Sequence, residues 1–448
     1  MDRSGFWRAG LLSAGLAAAL GVPCAAQAPA AVAPAGALTL EQAVDNALRE
    51  RPLLQAGTER IAAAEARIRQ ARAGLLPRVD VQASATDGPL GSPPLGLGGL
   101  VGTPIKKHTG GSLNLVQTLL DFGRTHNTVR ARREEVKATE EQLQADRNRV
   151  VLEVRQAYFQ ALQARGLVDV NQRLLEQRRL VARQAETLRD NGLATRVEVD
   201  LAELNVSQSE LALVRARNDV ETSFASLSAA VGRVIPSGTP LAEPVAAGAG
   251  AASLTESLAA AEEGRPELRQ IAAQERAFRH LESAAKAGKR PLITGVGSVG
   301  KINPVPLFEA GDKPFAVGVA LTVPIFTGGL VEGQTEEARR NAAAAGANRE
   351  ELRNQVRQQV TAAIAGVAAA QESIRVAQAQ RVRAQDALSL ATQRYQTQLG
   401  SIVELSQAQV AAATAEYDLL RSQYDLGLAR AALDYATGRG AAGTRAGK

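Results

Sequence analysis

The sequence predicts a mainly helical chain with a small β part, organised as a duplicated unit in which a strand hairpin leads into a long helical hairpin. Three observations carry this reading. Residues 105–235 and 325–448 contain no proline and are rich in Ala, Leu, Gln, Glu and Arg, a composition that favours helix at nearly every position. Within them apolar residues recur every seventh position: Val129, Val136, Leu143 and Val150; Leu167, Leu174, Val181 and Leu188; then Val360, Val367, Ile374, Leu388, Tyr395 and Ile402, with Arg381 the single exception. A period of seven held this long indicates coiled-coil packing of long helices. Landmarks of the first half also return in order in the second. Arg51-Pro52-Leu53-Leu54 matches Arg265-Pro266-Glu267-Leu268, Pro77 matches Pro291, Phe122 matches Phe326, Ala202 matches Ala408, and Gly232-Arg233 matches Gly438-Arg439.

Residues 1–26 read as a signal peptide. Arg3 and Arg8 supply a basic start, Ala9 to Val22 an apolar stretch, and Cys24-Ala25-Ala26 a small-residue cleavage site. Lipidation of Cys24 is the rival reading, and Gly21-Val22-Pro23 is a poor lead-in to it. The first repeat then spans residues 38–231, with a helix over 46–74, strands near 78–86 and 111–118, and helices over 124–188 and 198–231. The strands rest on period-two alternation, as in Val79, Val81, Ala83 and Ala85 against Asp80, Gln82, Ser84 and Thr86. The helix 124–188 would be ~100 Å long at 1.5 Å per residue. An Ala-, Gly- and Pro-rich linker, 232–254, follows. The second repeat, 255–439, carries a helix over 255–287, strands near 292–300 and 315–323, and helices over 330–397 and 403–438. Residues 440–448 read as a disordered tail.

Composition narrows the function classes. With 45% hydrophobic and 22% charged residues among 448, the chain is neither disordered, collagen-like nor a polytopic helical membrane protein. A net charge of +6 spread along the sequence forms no nucleic-acid patch. One Cys excludes a disulfide framework and a Cys-built metal site, and His108, His126 and His280 have no ligand spacing. No run of 18 apolar residues follows residue 30, so no transmembrane helix is expected. Gly295-Val296-Gly297-Ser298-Val299-Gly300 matches a dinucleotide fingerprint but opens no helix, and Asp121-Phe122-Gly123 lacks the other loops of a kinase. With no nucleophile–base pair, no catalytic or metal-ligating residue and no cofactor are expected, and the protein is not read as an enzyme.

Four strands cannot close a barrel, and an open strand edge cannot sit in lipid. Three chains would supply twelve strands, closing a β-barrel wide enough for a lumen and continued by a cylinder of long helices. Here the sequence resembles the TolC family of outer-membrane efflux and secretion channels. The residues that carry the resemblance are Leu38-Thr39-Leu40-Glu41-Gln42-Ala43, Leu76-Pro77, Leu120-Asp121-Phe122-Gly123-Arg124, the run Gly192-Leu193-Ala194-Thr195-Arg196-Val197-Glu198-Val199, and its repeat partner Leu399-Gly400-Ser401-Ile402-Val403-Glu404-Leu405.

The resemblance implies a homotrimer with a 12-stranded β-barrel in outer-membrane lipid and a periplasmic α-helical barrel. It would be the exit duct of a tripartite efflux pump or type I secretion system, joined through a periplasmic adaptor (membrane fusion) protein to an inner-membrane transporter, with no nucleic acid involved. It places Gly192, Leu193, Leu399 and Gly400 at helix tips that meet the adaptor, although a glycine helix cap needs no function. It also places Glu198 and Glu404 in an acidic ring at the periplasmic aperture. Gln407 stands where a second family acid can occur, and Gly400 where an arginine that helps lock the mouth can occur. The alternative is a soluble periplasmic coiled-coil adaptor or scaffold.

Overall fold

The computed structural model describes residues 36–87, 107–244, 253–303 and 315–440. The signal peptide, the linker's 245–252 stretch, the loop tips and the tail from 441 lie outside the described residues. Eight α-helices and four strands follow in the order α1 (Leu40–Glu50), α2 (Pro52–Ala73), β1 (Arg78–Asp87), β2 (Lys107–Leu120), α3 (Arg124–Asp190), α4 (Arg196–Val231), α5 (Leu254–Gly264), α6 (Pro266–Lys286), β3 (Leu292–Asn303), β4 (Phe315–Thr322), α7 (Leu330–Gln396) and α8 (Ile402–Ala436). Helices α3 and α7 have 67 residues each, so each is ~100 Å long at 1.5 Å per residue.

The single helices expected over 46–74 and 255–287 are each two. Arg51 and Arg265 sit at the breaks in extended conformation, with ψ of 121° and 114°. Pro52 and Pro266 force this, because the proline ring drives the preceding residue out of the α region. The first helix also starts earlier than expected. Thr39 accepts from Gln42 N at 3.2 Å while Gln42 Oε1 accepts from Thr39 N at 3.0 Å, a reciprocal cap. Ser253 and Glu256 repeat it for α5.

The joints are pinned the same way in both repeats. Arg51 pairs with Glu153 at 2.5 Å. Arg265, 3% exposed, donates to Gln359 Oε1 at 2.5 Å and to Tyr435 O at 3.1 Å, with its guanidinium 4.8 Å from the Tyr435 ring centroid. Each joint abuts the end of the repeat's last helix, where Gly232 (φ +88°) and Gly438 (φ +76°) turn the chain.

The sheet is antiparallel in the order β1-β2-β3-β4. The two hairpins therefore join at their inner strands and leave β1 and β4 as edges. Every residue of β4 is exposed, and among the described side chains Val81, Phe315, Val317 and Val319 are the most accessible apolar ones of the sheet, at 79%, 80%, 87% and 69%. Strand β3 alternates poorly because its glycines make room for their neighbours. Side chains of Leu119 and Leu115 lie against Gly295 and Gly297, and a Cβ on Gly300 would come 2.9 Å from Gly111 O. The dinucleotide-like motif is thus strand backbone. Asp121-Phe122-Gly123 is a helix start: Asp121 Oδ2 accepts from Thr125 N at 2.7 Å and Oδ1 from Gly123 N at 3.1 Å.

The main core lies midway along α3, where Val150, Val151, Val154 and Tyr158 meet Val44, Phe224, Leu227 and Val231. Burying each large apolar side chain is worth about 1.5–3 kcal/mol. The Tyr158 hydroxyl sits between the carbonyls of Leu38 (2.7 Å) and Ala242 (2.6 Å). It clasps the start of the first repeat to the linker, where Leu38 and Leu241 form a parallel bridge. Among the described residues no helix is long and apolar enough to cross a membrane.

Candidate functional site at the helical tips

The α3–α4 and α7–α8 turns lie at the ends of the long helices away from the sheet. In the first, Gly192 adopts φ +76°. Its N–H donates to Arg189 O at 2.8 Å, and Leu193 N donates to Leu188 O at 2.8 Å, satisfying the last carbonyls of α3. In the second turn Leu399 N donates to Arg394 O at 2.8 Å and Gln398 N to Tyr395 O at 3.1 Å. Superposing the hydrogen bonds pairs Leu193 with Leu399 and Gly192 with Gln398, which takes φ +61°. The residue at the left-handed position is therefore Gln398, not Gly400. Gly400 serves a different need: a Cβ there would lie 3.0 Å from Arg394 Cβ and 3.3 Å from Glu404 Oε2.

A left-handed non-glycine residue costs roughly 1–2 kcal/mol, partly offset here by the smaller unfolded-state entropy of Gln. Gln398→Gly is expected to stabilise the fold by about 0.5–1 kcal/mol, read as a higher denaturant midpoint. A midpoint equal to wild type or lower would show that the turn carries no strain.

Glu198 and Glu404 occupy the same position, three residues into their helices, and are held differently. Glu198 closes a cap on its own turn: its Oε2 accepts from Thr195 N at 2.7 Å and Thr195 Oγ1 at 3.1 Å. Glu404 N donates to Ser401 Oγ at 3.1 Å, and its carboxylate pairs with Arg394 Nε at 3.1 Å. Arg394 also donates to Leu399 O at 3.2 Å, so one guanidinium ties the turn to the start of α8. Both partners of that ion pair are about half exposed, which keeps its worth below about 1 kcal/mol.

The two tips pack on each other through Ala182, Ala185, Val199, Ala202, Ala391, Tyr395, Ile402 and Leu405. Burial, and then the Glu198 charge, push the Tyr395 phenol above its usual range. Its hydroxyl is enclosed without a partner among the described residues. Leu193 and Leu399 project outward, 59% and 75% exposed. The sequence reading missed Gln398 and Arg394. Gln398 could have been found by carrying the repeat alignment back from Leu399 to the partner of Gly192. Arg394 carries no such signal, since its counterpart in the first repeat is Leu188.

The model of the family described as outer membrane efflux protein matches residues 43–233 and 258–439, both repeats and most of the chain. The chain belongs to the outer membrane efflux protein family. Outer-membrane efflux is accordingly its function and the outer membrane its location, and the soluble adaptor or scaffold alternative is not favoured. The chain is 26% identical over 328 residues to the outer membrane efflux protein BepC of Brucella suis biovar 1 (strain 1330), covering 73% of this chain and 71% of that protein. Its fold is similar to that of the outer membrane protein VceC of Vibrio cholerae, with a TM-score of 0.76 at 23% identity over 89% of this chain and 96% of that one. It is also similar to the open state of the MtrE outer membrane channel of Neisseria gonorrhoeae, with a TM-score of 0.74 at 22% identity over 90% and 89% of the two chains. This outer membrane efflux protein is mostly helical with a small sheet, and the TolC-family resemblance read from the sequence stands.

Proposed function

We propose that three copies of the chain close a twelve-stranded β-barrel in the outer membrane, continued into the periplasm by a barrel of their long helices, and that this duct carries substrate passed on by an inner-membrane transporter through a periplasmic adaptor. The observation that carries the reading is the open sheet. Its edge strands β1 and β4 have no partner on their outer sides among the described residues, and β4 is exposed along its whole length. Backbone groups on such an edge cannot remain unpaired in lipid, and pairing β4 of one copy with β1 of the next satisfies both at once. The paired tips bearing Gly192, Leu193, Leu399 and Gly400 are the surface offered to the adaptor.

Glu198 and Glu404 are the acids of the periplasmic aperture. Threefold copies around a narrow axis would attract cations and repel anions. Arg394 offsets the Glu404 charge, whereas Glu198 is held only by neutral groups of Thr195. Glu198→Ala is therefore expected to relieve block by multivalent cations in planar bilayers more than Glu404→Ala does, with the double variant conducting best. If both single variants and the double variant keep wild-type conductance and block, these acids do not line the constriction.

A further inference from the structure

The groove between the two helical hairpins holds a cation with nothing to answer it. Arg178 of α3 is 6% exposed. Its Nη1 donates to Asn205 O at 2.7 Å and to Ser209 Oγ at 2.9 Å, both neutral acceptors on α4. Its Nε is enclosed without a hydrogen-bond partner, and no carboxylate pairs with it among the described residues. Burial alone pulls its guanidinium below the usual arginine range, and no acid acts in the opposite direction. Ionised groups taken out of water are normally paired, because their desolvation is otherwise uncompensated.

Arg178 stands where two spaces meet. On one side is a cavity of about 10 Å³ bounded by Val181, Ala202, Asn205, Ile402 and Gln409, room for a single water. On the other is a groove of about 300 Å³ with Leu174 and Val170 of α3, Ala212 of α4, and Val410, Ala413 and Tyr417 of α8 along it. Among the described residues Arg178 alone lines both. The groove also carries the polar residues Asn171, Gln208, Ser209 and Thr414, and Arg178 is the one charged residue in its lining. Its volume falls at the lower limit of small-molecule sites, whereas a docked helix needs a channel about 10–12 Å wide along its length.

We propose that this groove binds a small organic carboxylate, with its carboxylate on Arg178 and its aryl or aliphatic body between Leu174, Ala212 and Ala413. With Nη1 taken up by α4 and Nε enclosed, Nη2 is the donor left for a ligand carboxylate, and the guanidinium charge strengthens that hydrogen bond. Since the lining comes from α3, α4 and α8, an occupant braces one hairpin against the other.

Isothermal titration of benzoate, and of its uncharged analogue benzamide, into full-length protein in lipid nanodiscs tests it. Saturable benzoate binding is expected at millimolar concentration or below, with benzamide at least tenfold weaker. Arg178→Gln is expected to weaken benzoate at least tenfold, and Arg178→Lys to weaken it less. Ala413→Phe fills the groove without touching the guanidinium and is expected to abolish binding with the helical circular dichroism unchanged, which keeps the test decisive if Arg178→Gln does not fold. Absence of saturable benzoate binding, equal affinity for benzamide, or unchanged benzoate affinity in folded Arg178→Gln or Ala413→Phe would overturn the assignment.

Discussion

Gly438→Val is expected to destabilise the second repeat by about 2–5 kcal/mol, the sum of a left-handed penalty of about 1–2 kcal/mol and an overpacking penalty of about 1–3 kcal/mol. Gly438 has φ +76°, and a Cβ on it would fall onto Gly264 C and lie 2.9 Å from Arg265 N. Neither neighbour is free to retreat. Arg265 is held by Gln359 Oε1 and Tyr435 O, and a Cβ on Gly264 would itself come 2.8 Å from Thr437 O. The contact is backbone against backbone, at the joint where α5 stops and α6 begins. The first repeat supplies the control. Gly232 also has positive φ, but the nearest atom to its Cβ would be Arg51 Cα at 3.5 Å, ordinary contact. Gly232→Val should therefore lose only the left-handed penalty of about 1–2 kcal/mol. Unfolding in denaturant, or protease resistance of the purified variants, compares the two. Equal losses would mean that the close approach at Gly264 contributes nothing.

The double substitution Val317→Lys with Val319→Lys is expected to abolish accumulation in the outer membrane. Both side chains point to one face of β4 and are 87% and 69% exposed. If three copies of this strand stand in lipid, each lysine near the midplane costs about 2–4 kcal/mol, and six of them, about 12–24 kcal/mol together, are comparable to or larger than the whole stability of a typical domain, about 5–15 kcal/mol. Ala320→Lys, on the opposite face, is the matched control and should be tolerated, because in the proposed barrel that face would look into an aqueous lumen. Membrane fractionation followed by unheated gel electrophoresis reads both. Wild-type amounts of the valine double variant in the outer membrane would show that this row of valines does not face lipid.

Much of the fold was legible because long helices advertise themselves. Proline-free, Ala-rich stretches and a seven-residue apolar period located α3, α4, α7 and α8 closely, and Val129, Val136, Leu143 and Val150 are all buried as that period requires. The period then drifts. Farther along α3 the buried apolar positions are Val170, Leu175, Ala182 and Ala185, because 3.6 residues per turn rotates a fixed heptad around the helix. The breaks at Arg51 and Arg265 were visible as prolines but served only as landmarks of the repeat, with one helix drawn through each, although Pro52 and Pro266 drive the residue before them out of the helix. At the tips the sequence drew attention to Gly400, since glycine signals a turn. The backbone instead places Gln398 in the left-handed position and keeps Gly400 for its missing Cβ beside Arg394. Arg178 was beyond reach altogether. An arginine in a long polar helix reads as solvated, and only the packing of α4 and α8 over it reveals that it is not.

The clasp at Tyr158 bears on how such a chain arises. Leu38 opens the first repeat, Leu241 follows its last helix, and the two lie side by side under one shared hydroxyl. A module whose entrance and exit meet can be copied in tandem without rerouting any connection, because the second copy begins where the first already ended. It also tolerates new termini at that meeting point, the condition under which circular permutation leaves a fold intact. A duplication of such a module would need only a short linker to join its two halves.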